Sequence, residues 1–194
     1  MNIGDPISLF KEWLEEARLH PAIADATAMS LATAQKNGQP SVRIVLLKAV
    51  DQRGFCFYTN MESHKAQALK ANPRAGLCFY WPPLGRQVRI EGMVEQVTDQ
   101  EADDYFHSRP RESQIGAWAS QQSQPLKSRN SLLEGVVARS IEFEGKDVPR
   151  PDYWSGWRVV PSLIEFWQEG KFRLHDRDVY KRDDVAWIHS KLYP

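Results

Sequence analysis

The densest concentration of possible chemistry lies near the C-terminus, where Glu165-Phe166-Trp167 is followed by Arg173-Leu174-His175-Asp176-Arg177. On an extended strand successive side chains alternate, so Arg173, His175 and Arg177 would share one face and leave Leu174 and Asp176 on the other. Two guanidinium groups and an imidazole held side by side repel one another unless an anion lies between them. The pattern predicts a phosphate or carboxylate ligand.

Three further clusters carry cations or hydroxyls. Arg43-Ile44-Val45-Leu46-Leu47-Lys48 places a cation at each end of an apolar run. Their odd spacing puts Arg43 and Lys48 on opposite sides of a regular strand, which predicts two anion sites, or one site and one salt bridge; solvated strand ends fit equally. Tyr58-Thr59-Asn60 leading to Ser63-His64-Lys65 reads as a strand entering a helix N-terminus. Free backbone N–H groups and the positive dipole end suit an anion there, although an ordinary cap with a solvated Lys65 has the same signature. Tyr105-Phe106-His107-Ser108-Arg109-Pro110-Arg111-Glu112-Ser113 gathers hydroxyls and guanidinium groups that match phosphate oxygens, or that merely offset a helix dipole. Trp118, Trp154, Trp157 and Trp167 can flank a planar ligand or fill a core.

These residues need a scaffold. Asp5 and Pro6 open a helix whose apolar residues Ile7, Phe10, Leu14 and Ala17 recur at helical spacing until Pro21. Strands over 27–33 and 41–50 flank the turn Asn37-Gly38, and a turn over 51–54 leads into a strand over 55–59. Ser63 caps a short helix to Lys70, and strands follow over 75–81 and 86–97. Thr98 and Glu101 form a capping box for a helix to His107, and residues 113–144 favour helix broken near Pro125. Strands return over 157–167, 172–180 and 185–190. Hairpin-connected strands with inserted helices predict an α+β fold, an antiparallel barrel in one domain spanning 1–194.

Composition narrows the function. Among 194 residues, 25 Lys and Arg balance 25 Asp and Glu, so a nucleic-acid partner is not expected. Cys56 and Cys78 lie in apolar runs and read as buried free thiols of a reducing compartment, and the five histidines are scattered, so no metal is expected. No leader pattern and no apolar run near the length of a membrane span is present in the sequence. A cytoplasmic protein without membrane contact is expected.

The strings RIVLLK, FYTN, SHK, RQV, YFHSRPRESQIGAW, QS, IEFWQ and RLHDR, in this order, resemble the signature segments of the pyridoxamine 5′-phosphate oxidase family, from about Asp5 to Pro194. The resemblance implies a homodimeric split β-barrel with FMN at the subunit interface. It implies oxidation of pyridoxamine or pyridoxine 5′-phosphate to pyridoxal 5′-phosphate, with O2 reduced to hydrogen peroxide and the substrate's C4′ hydride passing to the flavin. The FMN residues it implies are Arg43, Ile44, Val45, Leu46, Leu47, Lys48, Tyr58, Thr59, His64, Lys65, Gln87, Gln122, Ser123, Trp167 and Arg177. The implied substrate residues are Lys48, Tyr105, Arg109, Ser113, Arg173 and His175, with Arg173, His175 and Asp25 as the active-site set. Arg43 and Lys48 would then serve mainly different phosphates.

Two departures accompany the resemblance. Members often carry an N-terminal arm that closes over substrate, and this sequence starts just ahead of its first helix, so a reduced, absent or otherwise supplied lid is expected. His64 stands where Arg is frequent, which implies weaker or pH-dependent FMN binding. Two other functions fit the same barrel: a flavin oxidase acting on another substrate, such as the phenazine-pathway relatives, and a non-catalytic FMN or pyridoxal-phosphate binding protein. Lys48, Tyr105, Arg109 and Ser113 argue for a phosphorylated substrate.

Overall fold

A computed structural model of the chain describes residues 4–194; residues 1–3, on which the expectation of a shortened arm bears, lie outside the described residues. Helix α1 (Pro6–Leu19) starts where the Asp5 carboxylate accepts from the N–H groups of Ile7 and Ser8, at 3.2 and 3.1 Å. Its apolar stripe is buried, and Phe10 enters an aromatic core with ring centroids 4.9 Å from Phe55, 5.0 Å from Phe79 and 6.3 Å from Trp81.

Strands β1 (Ala28–Ala34) and β2 (Pro40–Leu46) form the hairpin that Asn37-Gly38 predicts, with Gly38 at φ +85°. The single strand expected over 41–50 is broken. The Leu47 N–H donates to Thr27 O at 2.9 Å, and the next one, from Lys48, donates to Cys56 O at 2.9 Å. The chain thus leaves β1 and crosses to β4 (Gly54–Asn60), which pairs with the short β3 (Ala49–Asp51). An exchange of hydrogen-bonding partner leaves no trace in residue alternation, so the parity argument that opposed Arg43 to Lys48 loses its premise.

Helix α2 (His64–Ala71), strands β5 (Arg74–Trp81) and β6 (Arg86–Gln96), and helices α3 (Asp99–Ser108), α4 (Arg111–Ala119) and α5 (Arg129–Glu142) follow. The Thr98–Glu101 capping box is present at the start of α3. The chain ends in β7 (Trp154–Gln168), β8 (Asp176–Asp183) and β9 (Ala186–Lys191). All pairings are antiparallel in a nine-stranded curled sheet ordered β2-β1-β5-β6-β7-β4-β3, with β8 on β7 and β9 on β8.

Strand β7, 15 residues long, lies along β6 but changes its other neighbour midway. Residues 154–159 pair with β4, and residues 163–168 pair with β8. Between them the register against β6 shifts at Glu91/Gly92, opposite Pro161. Proline donates no hydrogen bond, and Gly92 lies so close that a Cβ there would stand 2.0 Å from Val160 O. This bulge splits the barrel.

The strand expected from Phe172 begins only at Asp176. Residues 171–173 make a single 3-10 turn, with Phe172 and Arg173 at φ +58° and +65°. Left-handed backbone at two non-glycine residues is rare, and neither residue type signals it in sequence. Arg173 and His175 therefore do not share a strand face with Arg177.

Phe10→Ala is expected to cost about 3–5 kcal/mol, because it empties the contact that ties α1 to three rings of the sheet core. Urea unfolding monitored by tryptophan fluorescence measures it; a loss below about 1 kcal/mol would show that α1 is not part of the cooperative core.

Candidate functional site

A cleft of about 670 Å³ opens where β2, β4, β7, α2, α3 and α4 converge, and Lys48, Thr59, Lys65, Tyr105, Arg109 and Ser113 are among its lining residues. Ile44, Val45, Leu46, Tyr58, Gln122 and Trp154 complete much of the wall. The chain brings together here residues from the first hairpin, the start of α2 and the Tyr105–Ser113 segment, as a single phosphate-bearing ligand would require.

Lys65 projects from the first turn of α2. Its Nζ donates to Thr59 Oγ1 at 2.8 Å, Gln122 Oε1 at 2.9 Å and Ser63 Oγ at 3.2 Å, all uncharged acceptors. Ser63 occupies the N-cap position but makes no capping bond; its hydroxyl serves Lys65 instead. Burial, and then the nearby Arg43 guanidinium, pull the Lys65 ammonium down to about 8. An ammonium so disfavoured by its surroundings gains from an anion.

Arg109 makes the same point more sharply. Its Nη1 is buried and has no hydrogen-bond partner among the described residues. The guanidinium carbon lies 4.8 Å from the Trp154 ring centroid and 5.5 Å from that of Phe106, and burial lowers its proton affinity. Tyr58, Tyr105 and Trp154 form an aromatic cluster, with Tyr58 4.1 Å from Tyr105 and 5.4 Å from Trp154 between centroids and Tyr105 6.0 Å from Trp154, and Lys48 Nζ stands 5.9 Å from the Tyr105 ring. Burial pushes the Tyr58 hydroxyl up to about 12, and it donates to Glu101 O at 3.3 Å, so Tyr58 is a neutral wall and not an acid.

The wall is held by a buried charge cluster. Arg158, 4% exposed, pairs with Glu101 at 2.6 Å and Glu95 at 2.9 Å. Backbone capping by Thr98, followed by Arg158, holds the Glu101 carboxyl down at about 2. Helix α3, which carries Tyr105, is thereby fastened to β6 and β7.

Other expected site residues stand apart. Arg43 spends its guanidinium on Leu31 O, Thr33 Oγ1 and Ser41 Oγ, at 3.0, 2.8 and 2.7 Å, and does not line the cleft. His64 Nε2 lies 2.9 Å from Gln35 Nε2, Ser123 is exposed at φ +73°, and Leu47 is buried. Asp25 accepts from the Thr27 hydroxyl at 2.6 Å and its N–H at 2.9 Å, which keep its carboxyl low with help from the Lys48 charge.

Gln87, Trp167 and Arg177 form a second group. They are direct cross-strand partners on β6, β7 and β8, so they share one face in a row. His175 packs on Trp167 at 4.6 Å between ring centroids. None of these, nor Arg173, lines the cleft. Arg177 already has a counter-ion: Glu165, 4% exposed, binds its Nε at 2.8 Å and Arg89 at 3.0 Å. The repulsion expected of three clustered cations is therefore relieved within the chain for Arg177, whereas Arg173 makes no side-chain hydrogen bond or ion pair among the described residues. Glu165 and Arg158 were not legible as positioning groups, because their partners lie far away in sequence.

Comparison with known proteins identifies the family. The family profile described as Pyridoxamine 5′-phosphate oxidase matches residues 16–139, and that of the Pyridoxine 5′-phosphate oxidase C-terminal dimerisation region matches residues 154–194. The pyridoxine/pyridoxamine 5′-phosphate oxidase of Myxococcus xanthus (strain DK1622) is 55% identical over 190 residues, 98% of this chain and 92% of that protein. Its namesake from Rhodospirillum rubrum is 53% identical over 195 residues, covering 98% and 96%. The structure of PhzG from Burkholderia lata 383, in complex with tetrahydrophenazine-1-carboxylic acid, matches with a TM-score of 0.91 at 31% identity over 100% of this chain and 94% of that one. A pyridoxamine 5′-phosphate oxidase-related, FMN binding protein from Nostoc punctiforme shares the fold, with a TM-score of 0.78 at 18% identity over 100% and 99% of the two chains.

The curled antiparallel sheet has the split-barrel fold of these neighbours. Within that fold class, the chain belongs to the pyridoxamine 5′-phosphate oxidase family and is an oxidoreductase. No helix of the described residues is long and apolar enough to cross a membrane.

Lys65 is charged below about pH 8 and neutral above it. An anion held by that ammonium must bind more weakly as pH rises past this value, by up to about tenfold per pH unit, since binding then requires proton uptake. FMN titrated by fluorescence quenching between about pH 7 and 9 is expected to show this decline, and Lys65→Met is expected to bind weakly with a flat response. Equal wild-type affinity across the window would remove Lys65 from the anion site.

Proposed function

We propose that this chain is an FMN-dependent oxidase that converts pyridoxamine or pyridoxine 5′-phosphate to pyridoxal 5′-phosphate and reduces O2 to H2O2. Residues 1–194 act as one FMN-binding split-barrel domain, and two copies form the working enzyme. The observation that carries the reading is Arg109 Nη1, a buried cationic donor without a partner, on a wall that also bears Lys48, Tyr105 and Ser113. A buried, unpaired guanidinium N–H costs stability unless a ligand completes it, and this donor set matches a phosphate monoester.

The residues present also fit FMN. Lys65 with Thr59, Ser63 and Gln122 makes a cradle of one cation and neutral polar groups suited to the cofactor phosphate. Arg43, Ile44, Val45, Leu46, Leu47, Lys48, Tyr58, His64 and Ser123 are assigned to the cofactor as well, of which Ile44, Val45, Leu46, Lys48 and Tyr58 line the cleft. Gln87, Trp167 and Arg177 are assigned to the flavin, and Arg173 and His175 to the substrate, with Asp25 as an accessory carboxylate. Because Gln87, Trp167, Arg173, His175 and Arg177 do not line the cleft of their own chain, a homodimer with FMN at the interface accounts for both groups. The match to a C-terminal dimerisation region supports it.

Bound FMN supplies a two-electron acceptor that O2 reoxidises. The chain supplies the rest. Arg109, Lys48, Tyr105 and Ser113 clamp the substrate phosphate, and binding energy at that remote group orients the carbon to be oxidised. Tyr58, Tyr105 and Trp154 give the cleft an aromatic wall. A cytoplasmic site of action accords with the free thiols Cys56 and Cys78.

The likeness to PhzG favours one second reading, a related flavin oxidase with a different substrate. Both are tested by loading the protein with FMN, removing oxygen and following the oxidised flavin band near about 450 nm. Bleaching by pyridoxamine 5′-phosphate, reversed by air with peroxide formed, is the expected result. Persistence of the band with bound FMN would overturn the primary reading. Arg109→Met is expected to raise KM for the phosphorylated substrate roughly 10- to 100-fold, the loss of a charged hydrogen bond, with FMN retained. An unchanged KM would sink the phosphate assignment.

A further inference from the structure

The turn that interrupts the strand expected over 172–180 also decides where His175 carries its proton. The Gly170 N–H points at His175 Nδ1 across 3.2 Å. A backbone amide can only donate, so Nδ1 must accept, and in the neutral ring the proton then sits on Nε2. Unlike an amide side chain, whose nitrogen and oxygen can exchange places, a peptide N–H leaves no choice of role.

The surrounding loop holds this contact. A Cβ at Gly170 would stand 1.9 Å from Leu174 O, so only glycine brings its N–H this close to the returning chain. Leu174 N–H donates to Lys171 O at 3.1 Å and His175 N–H donates to Arg173 O at 3.0 Å, closing the turn with Phe172 and Arg173 in left-handed conformation. The Trp167 ring, 4.6 Å away between centroids, restricts the imidazole from the side. Two non-glycine residues held at positive φ carry a conformational cost that the fold retains here.

We propose that Gly170 is a positioning residue that locks His175 as the Nε2–H tautomer, so that the imidazole meets substrate as a neutral hydrogen-bond donor and not as a base. This rests on the assignment of His175 to the substrate site. The group facing Nε2 must then be an acceptor, such as an oxygen substituent of the pyridine ring, and the proton lost by the substrate goes elsewhere than to His175.

Nitrogen-15 NMR of the FMN-loaded enzyme, about two pH units above the ordinary histidine range, tests the lock directly. His175→Gln identifies the resonances by their disappearance. The expected spectrum has a pyridine-like Nδ1 and a pyrrole-like Nε2 for His175; the reverse pattern would overturn the proposal. Gly170→Ala should mix the two patterns, and a spectrum unchanged in that variant would remove Gly170 from the role. The donor role has its own readout, because a glutamine amide reaches the position of Nε2 and an asparagine amide that of Nδ1. His175→Asn is expected to raise KM for pyridoxamine 5′-phosphate roughly 10-fold or more above that of His175→Gln. An asparagine variant as good as the glutamine one would overturn the donor role. Failure of flavin bleaching in wild type would instead strike the proposed reaction, leaving the nitrogen spectrum to decide the lock.

Discussion

Everything in this fold depends on one long strand being shared. β7 keeps β6 beside it throughout, yet gives its other edge to β4 over residues 154–159 and to β8 over residues 163–168. The two stretches use different residues of the same edge, and a bulge against β6 falls between them. At that bulge stand Pro161, which has no N–H to donate, and Gly92, whose missing side chain admits Val160 O. One end of β7 then delivers Trp154 to the cleft, and the other delivers Trp167 to the row with Gln87 and Arg177.

The cations of the chain differ in whether a carboxylate meets them. Arg158 and Arg177 are matched by buried or half-buried glutamates at 2.6 and 2.8 Å, and they fasten elements together. Among the described residues Lys65 has only neutral acceptors, and Arg109 has a buried N–H with none. Cations left in this state are destabilising in the empty protein and become favourable when an anion arrives. The cleft therefore holds in reserve binding free energy that an anionic ligand can draw on, whereas Arg158 has its charge already matched within the chain.

Local sequence rules carried much of the scaffold. Asp5 and Pro6, Asn37-Gly38, and Thr98 with Glu101 each act within a few residues, and each produces the cap or turn it signals. The same rules failed at the exchange after Leu46 and in the turn at residues 171–173. There the backbone conformation is imposed by contacts with Cys56 and Leu174, not by the residues' own preferences.

By itself the sequence determined the antiparallel α+β class, the identity of the cationic clusters and the family they resemble, because period, turn chemistry and motif spacing are local properties. Only the tertiary structure decided which cations remain free. Glu165 neutralises Arg177 across 12 positions and Glu101 neutralises Arg158 across 57, while Arg43, Lys65 and Arg109 meet no carboxylate among the described residues. Counter-ions are assigned by proximity in space, and proximity between distant residues is a product of strand pairing that no single segment contains.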